Sequence, residues 1–126
     1  MKTIKQTYTV KVPIERVWKA LVDPKEIERW NAGPAKMDDK VGTKFKLWGG
    51  DIYGENTEVV KNSKLVQDWY GGDWPEPSKV TITLSTENEV TKIDLLHDNI
   101  PDEEVDSIAD GWNLYYFGEL KKLLEK

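Results

Sequence analysis

Asp110-Gly111-Trp112-Asn113-Leu114-Tyr115-Tyr116-Phe117-Gly118-Glu119-Leu120 is the stretch on which the fold turns. Trp112, Tyr115, Tyr116, Leu120 and Leu123 recur at i, i+3, i+4, i+8 and i+11, the apolar stripe of a helix with 3.6 residues per turn. Phe117 lies off that stripe. Gly111 reads as the stop signal for whatever precedes the helix, and Lys121, Lys122 and Lys126 stand at its far end, where the helix dipole favours cations. The spacing predicts a closing amphipathic helix of about 18 residues, roughly 27 Å long at the standard rise. So much ring surface on one face has to cover something wide.

What it covers is read by working back along the chain. Residues 3 to 12 alternate Ile4, Gln6, Tyr8, Val10 and Val12 with Lys5, Thr7, Thr9 and Lys11, the period of a strand with one face on a core, and Pro13 ends the run. Ile14, Val17, Trp18 and Leu21 then mark a short helix. Asp23-Pro24 caps and opens a second, whose apolar side is Ile27 and Trp30. Residues 31 to 42 form a loop long enough to suggest a role beyond connection. After it come strands only: 43 to 48 and 52 to 60 around Gly49-Gly50-Asp51, 64 to 70, a run through Val80, Ile82 and Leu84, and a last one through Ile93, Leu95 and His97. The links between these strands are too short for crossover helices, so the sheet has to be antiparallel. The expectation is an α+β fold in one domain, residues 1 to 126. Six strands curve around the terminal helix, two short helices follow the first strand, and a wedge is left between sheet and helix.

Composition narrows the function classes. The net charge is −5 and no Lys/Arg cluster occurs, which excludes the phosphate-neutralising surface of a nucleic-acid binder. The absence of cysteine removes disulfides, thiolate nucleophiles and cysteine metal sites together, and suits a reducing cytoplasm. Residues 1 to 8 lack the apolar core of a signal peptide, and no run approaches a membrane span. The reading is a cytoplasmic protein without cofactor or metal.

Little in the sequence looks catalytic. Trp48-Gly49-Gly50-Asp51 and Tyr70-Gly71-Gly72-Asp73 lack the lysine and hydroxyl residue of a nucleotide loop and read as turns. His97, the one histidine, has no nucleophile elbow to serve. It is either a hydrogen-bonded core residue or part of a site. Asn56 and Gln67 fall at inward positions, where a buried amide needs a partner: each other, a water, or a ligand that they orient, unless a bulge turns one outward. Trp30, Trp48, Trp69, Trp112 and Tyr116 serve as core or as the walls of a pocket. With Asn56, Gln67 and His97 they make the candidate ligand-binding set. Trp74, on a loop just ahead of Pro75 and Pro77, and Glu103 and Glu104, in the acidic run before the terminal helix, are candidates for contact with a partner protein.

Several short motifs carry a resemblance over essentially the whole chain. They are Gly33-Pro34-Ala35 before Gly42-Thr43-Lys44-Phe45, Gly54-Glu55, Trp74-Pro75-Glu76 before Val80-Thr81-Ile82-Thr83-Leu84, Asn99-Ile100-Pro101 with Glu103-Glu104, and Gly111-Trp112 with Tyr115-Tyr116-Phe117. Together they resemble the C-terminal domain of the activator of the heat shock protein 90 ATPase. The resemblance implies a helix-grip fold of the START-like class, often with an apolar cavity under the last helix. It also implies a non-enzymatic co-chaperone role, with a heat shock protein 90-type chaperone as partner. The alternative within that class is a carrier of a small hydrophobic molecule, and a more distant one is cyclase or dehydratase chemistry with His97 or a carboxylate as proton shuttle. The eukaryotic activators carry a further N-terminal domain that makes the main chaperone contact, and this chain begins at the grip domain.

Overall fold

Polar–apolar alternation becomes strands with nearly the bounds that the period sets. The computed structural model describes residues 1–126 and runs β1 (Lys2–Val10), α1 (Ile14–Val22), α2 (Pro24–Arg29), β2 (Lys44–Leu47), β3 (Ile52–Val60), β4 (Lys64–Gly71), β5 (Ser78–Glu87) and β6 (Val90–Ile100). The strands form one six-stranded antiparallel sheet in the order β1-β6-β5-β4-β3-β2. β2 to β6 are a meander, while β1 pairs with β6 at the opposite edge. The chain therefore has to travel the width of the sheet between β1 and β2, and α1, α2 and the 31–42 loop do this on the inner face. Asp23 caps α2 by accepting from the Lys25 N–H at 2.9 Å, and Pro24 occupies the first turn. Trp18 and Leu21 of α1 enter one continuous apolar core together with Val80, Ile82, Ile93 and Leu95 of the sheet.

The terminal helix departs from its expected form. Asp102–Glu104 is a 3-10 turn, and the helix begins at α3 (Val105–Gly111), ahead of Gly111. Gly111 is an interior helical residue with φ −61° and ψ −43°, so it stops nothing. The helix then widens into a π turn, Trp112–Tyr116, before resuming as α4 (Phe117–Leu124). The Phe117 N–H donates to the Trp112 carbonyl, five residues back in place of four. That insertion rotates everything after it. Trp112, Tyr116, Phe117, Leu120 and Leu124 are buried, whereas Tyr115 is 61% exposed and Leu123 only half-buried. The placement of Tyr115 on the inner stripe and Phe117 off it assumed an unbroken 3.6 period, and both are reversed by the π turn.

Gly118 makes that turn possible. A Cβ at this position would lie 2.3 Å from the Asn113 carbonyl oxygen, itself five residues back. Only glycine lets the backbone close that tightly.

Candidate functional site

The rings that the sequence singled out converge under the terminal helix. Trp112 stacks on Trp69 of β4 at 5.0 Å and on Phe117 at 5.3 Å, the ring planes within 20° in each case. Tyr116 meets Trp30 at 4.7 Å, Trp112 at 4.5 Å and the edge of Trp48 at 6.3 Å. Trp30 donates its indole N–H to the Ala20 carbonyl at 2.9 Å, and Trp48 donates to the Asn31 carbonyl at 3.1 Å. The wedge between sheet and helix is thus largely filled by its own side chains. What stays open is a groove of about 370 Å³, bordered by Trp48, Ile52, Trp69, Ile108, Trp112 and Tyr116, with exposed Tyr115 at its mouth. Trp48 holds a left-handed backbone, φ 51°, at the groove's edge. This is a strained state for a large side chain, kept by its N–H on the Ala32 carbonyl at 2.8 Å.

His97 lies behind the groove and is fully buried. The Ser78 hydroxyl donates to the Trp69 carbonyl at 2.8 Å, so its one hydrogen is used. His97 Nε2, 2.7 Å from Ser78 Oγ, therefore carries the ring proton and donates it. Nδ1 is left as acceptor for the Trp112 indole N–H at 3.0 Å. This chain of bonds ties the terminal helix to β4, β5 and β6 and requires neutral imidazole, since a proton on Nδ1 would face another donor. Burial pushes the His97 pKa down to about 3, against a smaller opposing effect of Asp98.

A stability consequence follows from that shift. The unfolded chain takes up the histidine proton below its ordinary pKa of about 6.5, and the folded chain does not until pH 3. The contribution is fully present above pH 6.5 and is lost as pH falls from 6.5 towards 3, by roughly 2 kcal/mol at pH 5. Urea unfolding at pH 7 and pH 5 is expected to show this loss. His97→Gln, which can still accept from Trp112 and donate to Ser78, should remove most of it. Equal pH dependence in both proteins would assign the loss to carboxylates.

Asn56 and Gln67 sit apart from the groove and satisfy one another. Gln67 Nε2 donates to Asn56 Oδ1 at 2.9 Å, and Asn56 Nδ2 donates to the Asp38 and Lys40 carbonyls at 3.0 and 3.3 Å. Among those readings, mutual hydrogen bonding is the one that this geometry displays, and the pair pins the 31–42 loop to β3 and β4. Thr43 and the Lys40 N–H both hydrogen-bond Asp38 in that loop and, with the Thr43 bond dominant, hold its carboxyl below the usual range.

Trp74, Glu103 and Glu104, about thirty residues apart in sequence, border one open cleft of about 700 Å³ together with Asp73, Glu76 and Asp102. The Met1 amino group pairs with Asp102 at 2.9 Å on its rim. Trp74 folds back on Gly71, about 3.1 Å from where a Cβ there would lie, and is half-buried. Sequence reasoning missed Ser78, the residue that orients His97, and Ile52 and Ile108 in the groove wall. Ser78 opens β5 directly opposite Trp69, a pairing that only the strand register reveals.

No helix is long and apolar enough to cross a membrane. Residues 11–125 match the family described as Activator of Hsp90 ATPase homolog 1-like protein. The human activator of 90 kDa heat shock protein ATPase homolog 1 is 28% identical over 122 residues, 95% of this chain and 36% of that protein. Hsp90 co-chaperone AHA1 of Saccharomyces cerevisiae is 31% identical over 124 residues, 90% of this chain and 35% of that protein. The chain thus spans about a third of the length of these curated relatives. A crystal structure of an HSP90 activator from Plasmodium falciparum superposes with a TM-score of 0.90 at 32% identity, covering 98% of this chain and 96% of that one. With its six-stranded sheet gripping a terminal helix and a family match over nearly its whole length, the chain belongs to the family of Activator of Hsp90 ATPase homolog 1-like proteins.

Proposed function

We propose that this chain is a co-chaperone-like interaction module that stimulates the ATPase of a heat shock protein 90-type chaperone, without catalytic chemistry of its own. The observation that carries the reading is the cleft that gathers Trp74, Glu103 and Glu104, an aromatic ring flanked by carboxylates. Such a surface suits a basic partner surface, with the charges raising the encounter rate and the ring supplying contact area. The names of the relatives support the same reading. So does His97, whose two ring nitrogens are both occupied within the protein, leaving neither free for proton transfer.

The test is the ATPase rate of a chaperone from the same cell with and without this chain. Stimulation is expected, weakening as ionic strength rises. The double variant Glu103→Gln/Glu104→Gln should stimulate less while folding normally, because both carboxylates lie outside the core. No stimulation and no chemical-shift change on mixing would sink the proposal.

A second reading rests on the groove: a small hydrophobic ligand held between Trp48, Trp69 and Tyr116. Its volume falls at the lower end of ligand sites, and the Trp69 indole N–H, buried without a partner, would serve a ligand acceptor. Native mass spectrometry of gently purified protein should then show added mass. Bare protein, with no tryptophan fluorescence response to anilinonaphthalene sulfonate, would count against it.

A further inference from the structure

We propose a further binding site, distinct from both surfaces above, for a short peptide or comparable zwitterionic amide. It lies in a cleft of about 460 Å³ between α1, residues 37–39 and the β3–β4 turn. Three buried side-chain polar atoms in the molecule have no hydrogen-bond partner, and two of them, Trp18 Nε1 and Asn62 Oδ1, belong to residues bordering this one cleft. Trp18 is 4% exposed. A buried donor or acceptor left unpaired is destabilising, so such atoms persist where something else completes them. Here one is a donor and the other an acceptor. An amide answers both at once, with its carbonyl towards Trp18 and its N–H towards Asn62.

The rest of the cleft narrows the ligand further. Val22 and Met37, with the Trp18 ring, supply an apolar wall for a side chain. Of the charged residues at the rim, Asp23 is engaged by the Lys25 N–H and Asp38 by the Lys40 N–H and Thr43. Glu15, Lys19, Asp39 and Lys61 are exposed and make no side-chain hydrogen bond or ion pair. Two free carboxylates and two free ammonium groups around the cleft suit a molecule with one ammonium, one carboxylate and an amide between them. Because those four side chains are unengaged, their movement at the rim breaks no hydrogen bond or ion pair.

Proton–nitrogen spectra of the full chain test this directly, with the Trp18 indole signal assigned by its loss in Trp18→Phe. Titration with glycyl-leucine is expected to move that signal saturably, whereas leucine, which carries both charges and the same side chain but no amide, should not move it. Asn62→Gly removes the acceptor while suiting the left-handed backbone at this position, φ 61°, and should weaken glycyl-leucine binding about tenfold. An equal response to leucine, or an unchanged Asn62→Gly affinity, would overturn the assignment. So would an indole signal that ignores glycyl-leucine and shows only a cross-peak to a bound water. None of these outcomes bears on chaperone stimulation, which rests on a different surface.

Discussion

Gly54→Ala is expected to cost about 4 kcal/mol or more, which would leave little of the stability of a domain of this size. Gly54 pairs with Trp69 in the β3–β4 ladder, and a Cβ at position 54 would lie 1.8 Å from the Asp68 carbonyl oxygen and 3.1 Å from the Phe45 ring. The first clash is with backbone, so no rotamer change relieves it; β3 and β4 have to part locally. That shift would carry Trp69 away from Trp112 and Gln67 away from Asn56. Chemical denaturation gives the measurement, with Gly111→Ala as control. Gly111 has nothing within 4 Å of its would-be Cβ and a helical backbone, so alanine there should stabilise by up to about 1 kcal/mol. A Gly54→Ala protein within 1 kcal/mol of the parent would show that the strands yield easily, contrary to the close approach described.

Trp112→Ala should destabilise by about 4 kcal/mol, in the upper range for an aromatic residue truncated in a core. Trp112 is 2% exposed, stacks on Trp69 and Phe117, and supplies the indole N–H that His97 Nδ1 accepts. Truncation therefore removes ring contacts and leaves a buried acceptor unpaired. Trp112→Phe separates the two effects: most of the stack is kept, the donor is lost, and the expected cost falls to about 1 to 3 kcal/mol. It also frees Nδ1 to take a proton, so the His97 pKa should rise from about 3 towards its ordinary value, as read by the ring-proton shifts with pH. An unchanged His97 titration in Trp112→Phe would show that burial alone keeps the ring neutral.

Both results depend on contacts between segments far apart in sequence, and this marks where sequence reading ran out. The strands, the two short helices and the inward tilt of Trp30, Trp69, Trp112 and Tyr116 were legible because each is set by a local period or a local cap. Asn56 and Gln67 were legible as inward amides, but not as partners. Their meeting needs the exact register of β3 on β4, including the irregularity between Asn56 and Glu58. Trp74 and the Glu103-Glu104 pair each stood out in sequence, yet nothing local puts them on one cleft.

The chain's own sequence determined the architecture: alternation specifies six strands, short links make them antiparallel, and an aromatic terminal helix is the only element long enough to cover them. The tertiary structure decided which aromatics face inward. A regular helix would bury Trp112 and Tyr116 and leave Phe117 outside, but the sheet offers surface for all three, and burying the third ring outweighs the poorer hydrogen bonds of the π turn that brings it in. Gly118 permits that turn, as a residue with a Cβ would not. The same holds for His97, whose neutral state comes from burial and whose tautomer comes from the approach of Ser78 and Trp112. A periodic pattern encodes which face of an element is apolar, whereas a rotation within the helix or a donor meeting an acceptor depends on energies of approach that no local window of residues contains.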